Sequence, residues 1–350
     1  MRVVFYISGH GFGHASRDGE LMKALAAADP TIELTVRTSI PAWMFARIPH
    51  AIDVQPLHTD TGLVQFDSLR FDEHESARQA ATFYDTFDRR AEDEGAWLRR
   101  HRADLVIGDI PPLAFAAAHH ADVPSVAFGN FTWDWIYGAY DAFVTGAPAV
   151  IPTIRGAYAL ATDALRLPFH GGFDSMSAVV RDVPLVARRS GRDRRATRRL
   201  LDVGDDRTLV LASFGAYGAA LPHAPGPYGD RYALLNIEQH PPHGLAYEDV
   251  VAAADVVISK PGYGIVSECI ANETALLYTS RGRFVEYDVF VAEMPRVLRC
   301  RYISQEALLG GQWAEAIAAL LAEPAAPEVT RVDGAEVAAR EILRAARGRG

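Results

Sequence analysis

Two spacings of apolar residues alternate along this chain. Short runs such as Arg2–Ser8, Ile32–Arg37, Asp104–Gly108 and Ser125–Phe128 are apolar almost throughout and read as strands buried on both faces. Other stretches place apolar residues three and four apart. Ser16–Ala28 does so through Leu21, Met22 and Leu25 and reads as a helix. Glu73–Arg102 predicts a long polar helix or helix pair, Pro111–His120 a short helix, and 131–167 an aromatic, mostly helical region. The pattern loosens around Arg166–Leu185, with Pro168, Gly171, Gly172 and Pro184, and a linker is expected over 166–182.

The alternation then resumes. Helices are expected at Arg192–Leu201, Tyr247–Ala254, Gly264–Ala271, Tyr287–Val297, Trp313–Ala322 and Ala335–Arg347. Strands are expected at Thr208–Ala212, Ala233–Ile237, Val256–Ser259 and Ala275–Tyr278. Strand–helix alternation in both halves predicts two doubly wound, Rossmann-like α/β domains, residues 1–165 and 183–330, facing across a cleft. The terminal helix, within 331–350, is expected to return toward the first domain. A length of 350 residues favours two cores over one.

Composition narrows the function classes. No stretch of about 18 apolar residues occurs, so no membrane span is expected. The N-terminal apolar run is short and ends in glycines, unlike a signal peptide, and a cytoplasmic location follows as an expectation. Cys269 and Cys300 are the only cysteines, too few for a disulfide framework or a cysteine-rich zinc site. A net charge of −9 argues against nucleic acid as a partner. One run opposes the trend: Arg188, Arg189, Arg192, Arg194, Arg195, Arg198 and Arg199. It is either a solvated helix face or a site for an anion. Lys23 and Lys260 are the only lysines among 35 basic residues.

Candidate chemistry gathers after the strands. The loop Ser8–Arg17 holds Gly9, Gly11 and Gly13 with His10, Phe12, His14 and Arg17. Its glycines would let backbone N–H groups at a helix start approach an anion. The dinucleotide fingerprint fails, because His14 stands where its third glycine belongs. His14 is a candidate general base, or a protonated donor to a departing phosphate, or a residue bracing the loop, with His10 next in line. Asp109 and Asp134 are candidates for orienting its ring. Asn130 and Trp133 would bind an acceptor, Trp133 and Trp135 by stacking, unless these tryptophans are core or lid aromatics. In the second half Ser213 and Gly215 follow a strand. Lys260, Gly262, Tyr263, Gly264, Ser267 and Glu268 form a glycine turn feeding a helix. Such a turn would set N–H groups against a diphosphate, with Glu268 taking the ribose hydroxyls. Arg281, Glu286 and Asp288 follow the next strand and would grip sugar hydroxyls. There is no Walker loop, no H-E-x-x-H and no Asp-x-Asp pair, so neither a metal nor a bound cofactor is expected.

SGHGFGHASR, DLVIGDIPPLA, NFTWDWIY, RDVPLVARR and SKPGYGIVSE occur in this order. In these motifs the chain resembles the glycosyltransferase-like N-terminal region of L-arabinokinases and its stand-alone bacterial relatives, over most of residues 1–300. The Gly-Ile-Val-Ser-Glu stretch is similar to the donor-site helix of GT-B enzymes. The resemblance implies the GT-B fold, with 1–165 on the acceptor side and 183–330 binding a nucleotide-sugar. It implies that Glu268 binds the ribose and that Glu286–Asp288 contact the donor sugar. The Gly11–His14 loop would face acceptor and diphosphate. Arabinokinases continue into a sugar-kinase domain that this sequence lacks, so kinase activity is not implied. The segment from Gly215 to Tyr247 holds Pro222, Pro225, Pro227, Pro241 and Pro242 and leaves room for little helix. The expected function is metal-independent sugar transfer from a nucleotide-sugar to a small-molecule or glycan acceptor. The alternatives are a nucleotide-sugar 2-epimerase or hydrolase, or a non-catalytic binding protein.

Overall fold

The computed structural model describes residues 1–67, 69–214, 231–237 and 241–347. The chain forms two compact units: Met1–Gln65 with Phe71–Val186 and Arg331–Gly350, and Phe66–Arg70 with Ala187–Thr330.

The first unit starts with β1 (Arg2–Ile7), α1 (Phe12–Ala28), β2 (Glu33–Thr38), β3 (Ile52–Pro56) and the short antiparallel pair β4 (Val64–Gln65) and β5 (Phe71–Asp72). It continues through α2 (Glu73–Tyr84), α3 (Phe87–Arg100), β6 (Leu105–Asp109), α4 (Pro112–Ala121) and β7 (Ser125–Phe131). Three short helices follow, α5 (Trp133–Gly138), α6 (Asp141–Gly146) and α7 (Val150–Tyr158), then β8 (Asp163–Gly171) and β9 (Val180–Asp182). Seven strands make one parallel sheet in the order β3-β2-β1-β6-β7-β8-β9. Val3, Val4, Phe5, Tyr6 and Ile7 are all buried, as a strand covered by helices on both faces requires.

The expected linker at 166–182 is corrected here. Residues 163–171 and 180–182 extend the sheet, and the chain leaves the first unit after Val186. Pro168 is tolerated in β8 because β9 pairs only with Ala164–Arg166, so the proline interrupts no ladder on that side. Phe169, Gly172 and Phe173 then take positive φ, and that bend is what the loosened sequence pattern registers.

The second unit holds α8 (Arg194–Leu200), β10 (Thr208–Ser213), β11 (Tyr232–Asn236), α9 (Tyr247–Ala253), β12 (Val256–Ser259), α10 (Tyr263–Ala271) and β13 (Ala275–Tyr278). Then come α11 (Val285–Val297), β14 (Cys300–Tyr302), α12 (Gln305–Leu309) and α13 (Trp313–Ala322). Its five strands are parallel in the order β11-β10-β12-β13-β14. Trp313 and Ile317 pack against Val210, Ile258 and Leu277 to close one face. Part of the arginine run is structural. Arg198 is 4% exposed and donates to Asp255 (3.1 Å) and to the carbonyls of Ala253 (3.2 Å) and Gly204 (2.9 Å). Arg192 pairs with Asp249 at 3.2 Å, and Arg194 with Asp255. The chain ends in α14 (Gly334–Arg347), which packs on α1 within the first unit. Among the described residues no helix is long and apolar enough to cross a membrane.

Each sheet has one point where the chain reverses its direction of growth. In the first unit it lies between β1 and β6, with β2 on the far side of β1. In the second it lies between β10 and β12, with β11 on the far side of β10. In doubly wound sheets, ligands bind outside the strand carboxyl ends at such points.

Candidate functional site

At the first reversal point β1 runs through Ser8–Gly11 into α1, and β6 ends on Asp109. Residues 14, 17 and 18 lie on one face of α1, since positions three and four apart are neighbours on a helix. His14, Arg17 and Asp18 are all buried against Asp109, which has no solvent exposure. His14 Nδ1 lies 3.0 Å from Asp109 Oδ2. Arg17 grips the same carboxylate with two arms, Nε to Oδ2 at 3.1 Å and Nη2 to Oδ1. Its Nη1 donates to Asn130 Oδ1 at 2.6 Å, and Asn130 Nδ2 donates to the carbonyl of Phe169 at 3.2 Å. Gly129 makes room for this: a Cβ there would sit 3.3 Å from Arg17 Nη2 and 3.1 Å from the Ile110 side chain.

Burial alone would raise the pKa of Asp109. The Arg17 guanidinium, and His14 after it, overcome that effect and hold the carboxyl well below the ordinary range, so it is ionised. Arg17 Nη2 also lies 3.0 Å from His14 Nδ1. A neutral ring cannot both donate to Asp109 and accept from Arg17 at one nitrogen. The ionised carboxylate favours the Nδ1–H tautomer, because Arg17 already donates twice to Asp109. Nε2 then carries the lone pair, and it makes no hydrogen bond among the described residues.

The backbone after Asp109 is strained. Ile110 has φ 81°, a conformation that a β-branched residue adopts only under constraint. Tyr158 supplies the constraint, its hydroxyl donating to the Ile110 carbonyl (2.8 Å) and accepting from the Trp133 amide (3.0 Å). Asp60 closes the site from the loop after β3, accepting from Trp133 Nε1 at 2.8 Å. Burial pushes the Asp60 carboxyl up despite hydrogen bonds from Ser8 and Trp133.

At the second reversal point Ser213 ends β10 and Ser259 ends β12, paired in register, with the Ser259 hydroxyl donating to the Ser213 carbonyl. The Ser213 hydroxyl bonds Tyr247. Lys260 and Pro261 lead to Gly262, the cap of α10. No side chain caps that helix, and a Cβ at Gly262 would meet nothing within 4 Å. Lys260 is half-buried and makes no ion pair among the described residues. Burial, and Arg281 after it, hold its ammonium well below the usual range, with Glu286 and Asp67 opposing. Glu268, one turn further on, is 3% exposed and pairs with Arg188 at 2.5 Å. Arg188 lies 3.8 Å from Glu248 and over the Tyr247 ring.

No family model matches the chain. Over 362 residues it is 29% identical to L-arabinokinase of Arabidopsis thaliana, covering 99% of this chain and 34% of that one. The chain thus spans about a third of that relative's length. Among solved structures it resembles the glycotransferase of kitacinnamycin (16% identity, TM-score 0.59, 99% and 97% of the two chains). It also resembles a UDP-glucosyltransferase of Polygonum tinctorium (15%, 0.58, 99% and 98%) and UGT89C1 of Arabidopsis thaliana, solved with UDP (12%, 0.57, 99% and 94%). The fold is that of the GT-B glycosyltransferases.

Within this GT-B frame the expected residues separate into groups. His14, Asp109 and Arg17 come together at the end of the first sheet. Lys260, Gly262, Arg281 and Glu286 come together in the second unit. Several expectations are corrected. Asp134 does not orient His14; it is buried beside α7 and pairs with Arg155 at 3.1 Å. Trp133 has no exposure and stacks on Tyr137, so it offers no face to an acceptor. Asn130 and Arg17 are enclosed and brace Asp109 rather than present themselves to a ligand. Ser267 turns its hydroxyl back to the Gly264 carbonyl at 2.9 Å. His10 accepts from the Leu63 amide at 3.2 Å and meets Trp133 edge-on, while Phe12 packs edge-on against the exposed Trp43. Tyr263 is buried, and Asp288 is exposed on the first turn of α11. Gly215 lies outside the described residues. Sequence reasoning missed Asp18 and the Arg188–Glu268 pair. The i, i+4 spacing from His14 would have flagged Asp18, whereas 80 residues separate Arg188 from its partner.

Proposed function

We propose that this protein transfers a sugar from a nucleoside-diphosphate sugar to an acceptor hydroxyl, with His14 as general base and without a metal or bound cofactor. The observation that carries this reading is the state of one imidazole. Its Nδ1 is tied to an ionised, fully buried carboxylate, and its Nε2 makes no hydrogen bond among the described residues. In the reaction Nε2 takes the proton of the acceptor hydroxyl as that oxygen forms its bond to the anomeric carbon. The bond from that carbon to the phosphate oxygen breaks, and the nucleoside diphosphate leaves. Asp109 steadies the imidazolium.

Support for the donor side comes from the second unit. The N-terminus of α10, which has no side-chain cap, with Lys260 and Arg281 near it, suits a diphosphate. A bound dianion would favour the charged form of Lys260 against the burial that now disfavours it. Glu268 is the candidate for the ribose hydroxyls, with Arg188 fixing its carboxylate. The fold shared with a UDP-glucosyltransferase and with UGT89C1 solved with UDP makes uridine donors the first to try.

The test is a thermal-shift screen against a panel of nucleotide-sugars, then product analysis with and without candidate acceptors. A ligand at 100 times its Kd adds about 2.7 kcal/mol of stability. Sugar transfer supports the reading. Conversion of the donor without an acceptor, or binding with no turnover, overturns it.

A further inference from the structure

The reaction above makes no use of Asp18. This residue lies on α1, one turn after His14 and beside Arg17, facing Asp109 at the end of β6. It has no solvent exposure, and neither of its carboxyl oxygens receives a hydrogen bond from a described group. A carboxylate there would be buried with no donor among the described groups, a state that proteins relieve by taking up a proton. The nearest charged neighbour from another element is the carboxylate of Asp109. Two carboxylates have no hydrogen to share between them, whereas an acid and a carboxylate do. The charged groups facing Asp18 are Asp109 from β6 and Arg17 from its own helix. Asp109 is the member that stays ionised, because Arg17 and His14 already donate to it. The proton therefore resides on Asp18. Burial and the neighbouring Asp109 both raise its carboxyl well above the ordinary range, which agrees with the geometry.

We propose that Asp18 is held as a neutral carboxylic acid whose O–H donates to Asp109, making it a positioning residue that fixes the carboxylate holding His14. Its functional meaning rests on the reading of His14 as the base, but its test needs no substrate. With Asp18 neutral, one cation, Arg17, balances one anion, Asp109. Asp109 then has donors on three sides and little freedom to rotate away from His14.

Two measurements decide the matter. The infrared difference spectrum between wild type and Asp18→Asn at pH 7 should show one protonated-carboxyl C=O band present only in wild type and shifted in D2O. Asp60→Asn serves as the control and should leave that band in place. Absence of such a band would mean that Asp18 is ionised and overturns the proposal. The second measurement is the ring 15N spectrum of His14. Wild type and Asp18→Asn, whose amide still donates to Asp109, should show a single Nδ1–H tautomer. Asp18→Leu, of similar size but without a donor, should show a mixture. Identical spectra for Asp18→Leu and wild type would remove the positioning role. Should Asp18→Leu not fold, the infrared comparison still decides the protonation state. Neither readout depends on turnover, so failure of the glycosyl-transfer reading would leave both results standing.

Discussion

The two units make the same junction and use it differently. In each, a central strand ends at the reversal point of a parallel sheet and a glycine starts the next helix. Gly11 and Gly262 are both extended, no side chain caps either helix, and a Cβ at either position would meet nothing within 4 Å. Beyond the cap they diverge. In α1 the next turn is polar and enclosed, and His14 and Arg17 are committed to Asp109. In α10 the enclosed carboxylate Glu268 is committed to Arg188, while Lys260 makes no ion pair among the described residues. One unit holds the Nδ1 side of a single imidazole against a buried carboxylate. The other starts a helix with no side-chain cap and sets a lysine without an ion pair among the described residues beside it. That contrast argues for a base in the first unit and a diphosphate in the second.

Removing the base should have the largest effect. His14→Ala is expected to lower turnover by about 10²–10⁴-fold, the usual contribution of a positioned general base, with little change in donor affinity. Turnover and donor Kd measured together check this. Near-normal turnover would make His14 a loop-bracing residue and move attention to His10.

Asp109→Ala strands the Arg17 guanidinium in a site that is 4% exposed. Breaking a buried pair in this way typically costs about 3–5 kcal/mol, read from urea unfolding, and Arg17→Met with Asp109→Leu should recover much of it. The pH dependence carries a sign. The folded-state pKa of Asp109 is depressed, so its contribution is present above the ordinary carboxylate range and is lost as pH falls through the folded value. Asp18 is raised, so its contribution is full below the ordinary carboxylate range and is lost as pH rises toward the folded value. Relative to Asp18→Asn, wild type should therefore lose stability as pH climbs from about 4. A flat difference between the two would show that Asp18 titrates alike in both states.

The same contrast explains what the sequence made legible. Strands such as β1, β6 and β12 are apolar on both faces, and that is a local property of six or fewer residues. Loops that leave such strands were therefore visible as candidate sites. The partners inside each site were harder to see. Asp109 ends a strand before two prolines and Asp134 follows one among aromatics, and only the fold shows that one meets His14 while the other meets Arg155. Trp133 reads equally as platform or core, and its indole N–H bonded to Asp60, 73 residues away, decides for core. Arg188 sat in a run that suggested surface charge. β8 was hidden by Pro168 and by two glycines that belong to its terminal bend.

Glu268→Ala should come next in size. Loss of a hydrogen bond to a charged group would weaken donor binding by about 1.5–3 kcal/mol, measured by titration calorimetry. Arg188 loses its partner in the same variant, but its side chain is 22% exposed and can reach water, so the fold should persist. Unchanged affinity in a folded variant would take Glu268 out of the ribose site.

The smallest effect on stability, and the sharpest on the comparison, is expected from Gly262→Ser. Serine is a good helix cap and glycine a fair one, a difference of a few tenths of a kcal/mol. The backbone at Gly262, φ −172° and ψ 153°, suits any residue, and the new side chain would enter open space. Losing glycine's freedom in the unfolded chain adds about 0.4–1 kcal/mol in the same direction. Stability should therefore rise slightly. The serine hydroxyl, however, would accept from the N–H groups that a diphosphate needs, and its bulk would hold the ligand off the backbone. Donor affinity should fall while Tm holds or increases. Gly11→Ser is the matched control in the first unit, where the same stabilisation is expected with a smaller change in donor affinity. If Gly262→Ser binds donor as wild type does, the N-terminus of α10 is not the diphosphate site. If Gly11→Ser weakens donor binding as much as Gly262→Ser, the division of labour between the two helix ends is wrong, and both must then serve the same anion.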